Sequence, residues 1–201
     1  MIIAITNQNA SSGNVARQLA ALRAHVGGKV LLLATDPKLP SASGSPEHGV
    51  ADIGPGSVSE RCLLRAELEN PHFKDIIIDI GGRDSLDSRA ALIAAGLVIV
   101  PVQADQLDMG SQYKLIARLN SARMFNPGLR VLFVIVGGGS DPSDQERAAI
   151  CAYVAQVMSA KLAGTVIHVP GALPCDVPPA AGEVGHAPEE MSALYREVFA
   201  N

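Results

Sequence analysis

Apolar residues fall in short continuous runs separated by stretches with helical spacing. The runs cover residues 1–6, 29–34, 75–80, 97–102, 130–136 and 165–169 and are rich in Val, Ile and Leu. They are uninterrupted rather than alternating, the pattern of strands buried on both faces. Between them, residues 14–25 place Val15, Leu19 and Leu22 on one stripe, and residues 110–125 turn Leu115, Leu119 and Ala122 inward. Residues 58–68 and 86–95 carry two shorter helical patterns. Residues 143–160 carry Ile150, Val154 and Val157, and Ser143 with Glu146 has the spacing of a capping box. Residues 188–199 close the series, with Pro188 at the first turn. This alternation predicts an α/β fold: a doubly wound, mostly parallel sheet with helices on both faces. Two stretches interrupt it. Residues 38–57 are rich in Pro, Gly and Ser, and five prolines lie between Pro170 and Pro188, so both are expected as irregular surface segments.

Composition narrows the picture. The 201 residues fit one domain over 1–201, with 48% hydrophobic residues but only 3% aromatic and no Trp. The core is therefore expected to be aliphatic, as a buried parallel sheet requires. A net charge of −4 gives no overall drive toward nucleic acid or an anionic membrane. No apolar run approaches the ~18 residues of a membrane span, and Met1-Ile2-Ile3 has no basic leader, so a cytoplasmic protein with no membrane partner is expected. Cys62, Cys151 and Cys175 lack metal or redox spacing and are expected as reduced, buried thiols. His25, His48, His72, His168 and His186 show no ligand spacing and are expected on the surface or in loops.

The segment Asn7-Gln8-Asn9-Ala10-Ser11-Ser12-Gly13-Asn14-Val15-Ala16 follows the first apolar run and opens the first helical pattern. A phosphate-binding loop occupies that setting; its pattern G-x-x-x-x-G-K-[ST] puts a lysine on the β/γ-phosphates and a hydroxyl on Mg²⁺. Here Asn14 stands in the lysine place and Val15 in the hydroxyl place. What remains for an anion is the helix N-terminus, the flexible Gly13 and the hydroxyls of Ser11 and Ser12.

These residues resemble the ParA/MinD family of partition and positioning ATPases, the branch with a deviant P-loop reading roughly N-Q-K-G-G-x-G-K-T-T. Asn7, Gln8 and Gly13 match it. Asn9 replaces the signature lysine, Ala10 and Ser11 two glycines, Asn14 the main lysine, and Val15 and Ala16 the threonines. The stretch Val30 to Lys38 is similar to the family's V-L-L-I-D-A-D-P-Q, with Asp36 kept and Ala34 in place of the first aspartate. The stretch Asp75 to Ser85 resembles the Walker B strand and its turn, and Ala94 to Gln103 resembles the next strand. The resemblance covers about residues 1–137.

It implies a P-loop NTPase-like fold, with a nucleotide edge formed by Ser11, Ser12, Gly13, Asn14, Val15, Asp36, Asp79, Gly81 and Gly82. Asp36 and Asp79 would be the Mg²⁺ residues. Arg83 is the nearest cation and is expected to pair with Asp84 or Asp79. Where the family contacts the purine, Ile135-Val136-Gly137-Gly138-Gly139 offers only glycine. Each lost charge-assisted hydrogen bond is worth roughly 1.5–3 kcal/mol, so ATP or ADP with Mg²⁺ is expected to bind weakly if at all. Hydrolysis, which rests on positioning and charge stabilisation, should suffer more. The resemblance thus implies a pseudo-ATPase with no required cofactor. It would act through protein contacts in plasmid or mobile-element partition, maintenance or conjugation. Its implied partners are a second copy or a ParA-like ATPase, giving a homodimer or heterodimer, and a partition or conjugation adaptor. A nucleotide switch with altered phosphate anchoring and a DNA-binding accessory are the alternatives. For the latter, Lys114, Arg118 and Arg123 are expected on the exposed side of the 110–125 helix, with Arg130 just beyond.

Overall fold

The computed structural model describes residues 1–6, 12–34, 50–53, 73–80, 84–103, 109–137, 141–168 and 189–199. Seven strands, β1 (Ile2–Thr6), β2 (Val30–Ala34), β3 (Val50–Ile53), β4 (Asp75–Ile80), β5 (Leu97–Val102), β6 (Arg130–Gly137) and β7 (Ala160–His168), form one sheet. Its order is β3-β2-β4-β1-β5-β6-β7, and every pairing is parallel. Five helices are described: α1 (Ser12–His25), α2 (Leu86–Ala94), α3 (Met109–Phe125), α4 (Asp144–Val154) and α5 (Glu189–Phe199).

The continuous apolar runs are explained by the two faces of this sheet. Ile3, Ile5, Ile77 and Ile99 pack with Val15 and Leu19 of α1 and with Leu194 and Val198 of α5. Their sequence neighbours Ala4, Ile78, Val98 and Val100 pack on the other face with Leu92 of α2, Leu115 and Leu119 of α3, and Ile150 and Tyr153 of α4. One row crosses the sheet in register, Leu33–Ile78–Ala4–Val98–Val131–Ala160. Each of its central side chains is sealed beneath helices, so no position in these strands can be polar without cost. Phe133 of β6 meets the Tyr153 ring edge-on at 5.3 Å, a rare aromatic contact in an otherwise aliphatic core.

Helix ends are fixed by local chemistry. The Ser85 and Ser88 side chains cap one another's backbone N–H groups at the start of α2 (3.0 and 3.1 Å). The Ser143–Glu146 box opens α4 as its spacing predicts. α1 stops where Gly27 turns to a left-handed φ of +83° and Gly28 N–H bonds the Arg23 carbonyl at 3.0 Å. A Cβ at Gly28 would stand 2.9 Å from that carbonyl oxygen, so the turn admits no side chain there. This turn holds Arg23 beside Asp75, at the N-terminal edge of the sheet.

Four sequence expectations change. β3 lies inside 38–57, expected to be irregular throughout; Val50–Ile53 instead pairs with β2 from Val30↔Val50 to Leu33↔Ile53. A four-residue edge strand is too short to register as an apolar run. β7 starts at Ala160, not 165, because its first half is paired with β6 yet alternates in exposure, with a register shift opposite Phe133–Ile135. α4 ends at Val154 and gives way to turns and Ser159 at φ 56°, so the pattern over 143–160 merged a helix with the approach to a strand. Cys151 is exposed, not buried: α4 seats Ile150, Tyr153 and Val154 and turns Cys151 outward. The 58–68 helix, Cys62, Cys175 and the proline-rich 170–188 segment lie outside the described residues.

Candidate functional site at the C-terminal edge of the sheet

A parallel sheet delivers its strand ends, and the N-termini of the helices that follow, to one edge. β1 ends at Thr6, and α1 begins six residues later at Ser12. The backbone of Ser12, Gly13 and Asn14 forms the first turn of α1, which contains no acidic residue. Its amide groups and dipole therefore present positive character to this edge. The Val15 side chain is buried among Ile3, Ile5 and Leu19. In the place of the loop's Mg²⁺ hydroxyl, the chain has a core residue, and only its backbone can face a ligand.

Asp79 reaches the same edge of the sheet. In register it lies between Ile5 of β1 and Ala34 of β2. It shares its strand face with Ile77, which packs in the core under α1. Asp79 is 6% exposed, a buried acid near the end of its strand. Ser11, Asp36, Gly81, Gly82 and Arg83 lie outside the described residues. Asp84 is accounted for: Arg89 grips its carboxylate from α2 (Nε–Oδ1 2.8 Å) and Arg118 Nε lies 3.6 Å away. The Arg89 hydrogen bond chiefly holds Asp84 below the usual carboxylate range.

His168, expected on the surface or in a loop, is partly exposed at the end of a strand rather than in a loop. It ends β7 at this same edge and is pinned by the first turn of α5. Its Nδ1 lies 2.7 Å from Glu190 Oε1, and its backbone N–H donates to Glu190 Oε2 at 2.7 Å. Asp141 Oδ1 lies 3.5 Å from Nε2. The backbone N–H of His168, then its ring, hold Glu190 below the ordinary glutamate range. The signal was present in sequence: a polar residue directly after Val166-Ile167, and a Glu pair opening the last helix.

The four basic residues proposed for DNA do not share a face. Lys114 is exposed on α3. Arg118 is half-buried against α2; its Nη2 donates to Ser88 Oγ at 3.0 Å, and burial lowers its pKa against the pull of Asp84. It sits three residues after Leu115, on the shoulder of the packed stripe, which turns it toward α2. Arg123 donates to the carbonyls of Leu129 and Met158, each at 2.9 Å, tying the end of α3 to the entries of β6 and β7. Arg130 starts β6 and so lies at the opposite edge from the α1 N-terminus. The expectation that Arg118 and Arg123 are solvent-facing is thus corrected: both serve packing. Among the described residues no group of three His, Cys, Asp or Glu side chains could hold a metal, and no helix is long and apolar enough to cross a membrane.

No protein-family model matches the sequence, and no curated protein matches it significantly. Solved structures do match. One is a candidate plasmid partition protein from Borrelia burgdorferi bound to AMPPNP: 15% identity, TM-score 0.65, covering 99% of this chain and 97% of that one. A second is cobyrinic acid a,c-diamide synthase from Mycobacterium smegmatis with bound ADP and magnesium: 18% identity, TM-score 0.62, covering 98% and 91%. A third is apo McdA from Cyanthece: 15% identity, TM-score 0.59, covering 84% and 86%. The strand order, the helix following β1 and these likenesses agree: the chain has the fold of the ParA/MinD-like P-loop proteins.

Proposed function

We propose that this chain is a ParA-like protein of plasmid or mobile-element partition, maintenance or conjugation that has lost the nucleotide chemistry of its fold and works through protein contacts. The observation that carries this is the first turn of α1: Asn14 occupies the lysine place, and the Val15 side chain is committed to the core at 2% exposure. A triphosphate with about four negative charges would meet a helix N-terminus and two serines there, with no lysine from the loop. Similar folds hold AMPPNP or ADP with magnesium. In this chain Asp79 and Asp36 are the acids that would answer a magnesium ion, but the phosphate cations that make the ion useful are missing. The chain is then a cytoplasmic partner protein that pairs with itself or with an active ParA-like ATPase and engages a partition or conjugation adaptor.

Phosphate release from Mg·ATP tests this. Turnover indistinguishable from the protein-free blank is expected, with and without added DNA; turnover above the blank that vanishes in Asp79→Asn would overturn the proposal. A second reading, a nucleotide switch anchored by backbone groups, is favoured by one feature: an α1 N-terminus with no acid in its own first turn, at the same sheet edge as Asp79. The DNA-accessory reading draws less support, since Lys114 is the solvent-facing cation on α3 while Arg118 and Arg123 are engaged in packing.

A further inference from the structure

A concavity lies on the other face of the sheet from α1, between α2 and α3. It encloses about 710 Å³. Its α3 wall is a stripe at helical spacing, Tyr113, Ala117, Ser121 and Phe125, and Ile93 of α2 stands opposite. Tyr113 and Phe125 are each 74% exposed and Ile93 39%. Exposed apolar side chains grouped around one concavity, with charged residues at its rim, are the pattern of an interaction surface. The small Ala117 and Ser121 between them leave room for another backbone to approach.

The walls are rigid. Asn126 donates to the carbonyls of Ile93 and Ala95 at 2.9 and 2.8 Å, joining the lower ends of α2 and α3. Arg118 donates to Ser88 and joins them higher up. The groove is therefore preorganised and loses little entropy on filling. From Tyr113 to Phe125 it runs twelve residues of α3, about 18 Å at 1.5 Å per residue, the length of a three-turn helix. Its charge is lopsided: Arg89, Lys114 and Arg118 border it against the single carboxylate of Asp84. Lys114 has no ion pair among the described residues. A second copy docking this face on its own equivalent would set these cations against one another.

We propose that the α2–α3 groove is the docking site for an acidic amphipathic helix of a partner protein. The helix would lay apolar residues between Ile93 and the Tyr113–Phe125 stripe and direct carboxylates to Lys114, since Arg89 already holds Asp84. This deepens the partner-binding reading above and rests on it. The site lies on the face of the sheet opposite α1.

A displayed library of 16-residue helical peptides, panned on the full chain without nucleotide, tests it. Enriched peptides should carry apolar residues at i, i+3/i+4 and i+7 flanked by Asp or Glu. Their affinity, read by fluorescence anisotropy, should fall at least tenfold in Ala117→Arg and in Lys114→Glu and weaken with salt. Ala117 and Lys114 are exposed, so both variants should keep the wild-type Tm. No enrichment, basic peptides, or affinities indifferent to both substitutions would overturn the proposal. So would self-association abolished by Ala117→Arg, which would assign the groove to a second copy. Because nucleotide is absent, failure here leaves the degenerate-site reading standing, and tight ATP binding would sink that reading without touching this result.

Discussion

Replacing Asp75 by alanine is expected to cost about 3 kcal/mol, because it strands charges built around one buried carboxylate. Asp75 is 3% exposed at the start of β4. It accepts from Arg23 Nε at 2.6 Å and from the Met1 ammonium at 3.0 Å. Arg23 is itself fixed: Nη1 donates to the Tyr195 hydroxyl at 3.2 Å, and its guanidinium lies 4.8 Å from the centre of the Phe199 ring. One carboxylate thus ties α1, β4 and α5 together below the sheet. In a chain of this length the loss should lower Tm by about 6–12 °C. Acid should erase the difference. Burial opposes ionisation of Asp75, but the hydrogen bonds from Arg23 and the ammonium outweigh it and hold the carboxyl below its ordinary value. A carboxyl depressed in the folded state contributes above its unfolded pKa of about 3.9 and loses that contribution as pH falls through the folded value. Urea unfolding at pH 7 should therefore separate wild type from Asp75→Ala, and the gap should narrow below about pH 4. Equal stabilities at pH 7, or a gap that persists into strong acid, would remove this cluster from the account.

The second large effect is a gain. Asn14→Lys should strengthen ATP binding by roughly 10- to 150-fold, the equivalent of one charge-assisted hydrogen bond of about 1.5–3 kcal/mol. The substitution sets a cation in the first turn of α1, which disfavours the free helix by about 0.3–1 kcal/mol. A slightly lower Tm without nucleotide and a higher one with it is the expected pair of readings. Adding Asn9→Lys should increase the affinity again. Hydrolysis should not return, since Ala34 still stands where the family's first aspartate does and Val15 still supplies no hydroxyl. If both lysines leave nucleotide affinity unchanged in a folded protein, the loop's loss of cations is not what closed the site.

How much of this the sequence showed depended on burial. β1, β4, β5 and β6 are legible because both faces are covered, so their central residues are almost all apolar. β3 and the first half of β7 are edge or half-exposed, and partial burial leaves no continuous run. Asp79 is legible because an acid after the apolar run Ile76-Ile77-Ile78 stands out near the strand's end. Arg118 could not: its neighbour Leu115 fixes the core stripe, but whether the shoulder meets solvent or α2 depends on how closely two helices approach. The same holds for the α2–α3 groove, which exists only once α2 and α3 lie side by side. The His168 contacts are not legible in the sequence because its partners, Asp141 and Glu190, lie 27 and 22 residues away in the chain and meet it only at the shared strand edge.

The central claim is that the fold persists while its nucleotide chemistry does not. Calorimetric titration of the wild-type protein with ATP and ADP, each with and without Mg²⁺, tests it most directly. The account predicts no saturable heat up to millimolar nucleotide. Saturable, Mg²⁺-dependent binding with a Kd below about 100 μM, roughly −5.5 kcal/mol or stronger, would contradict it and make the α1 N-terminus with Asp79 a working switch.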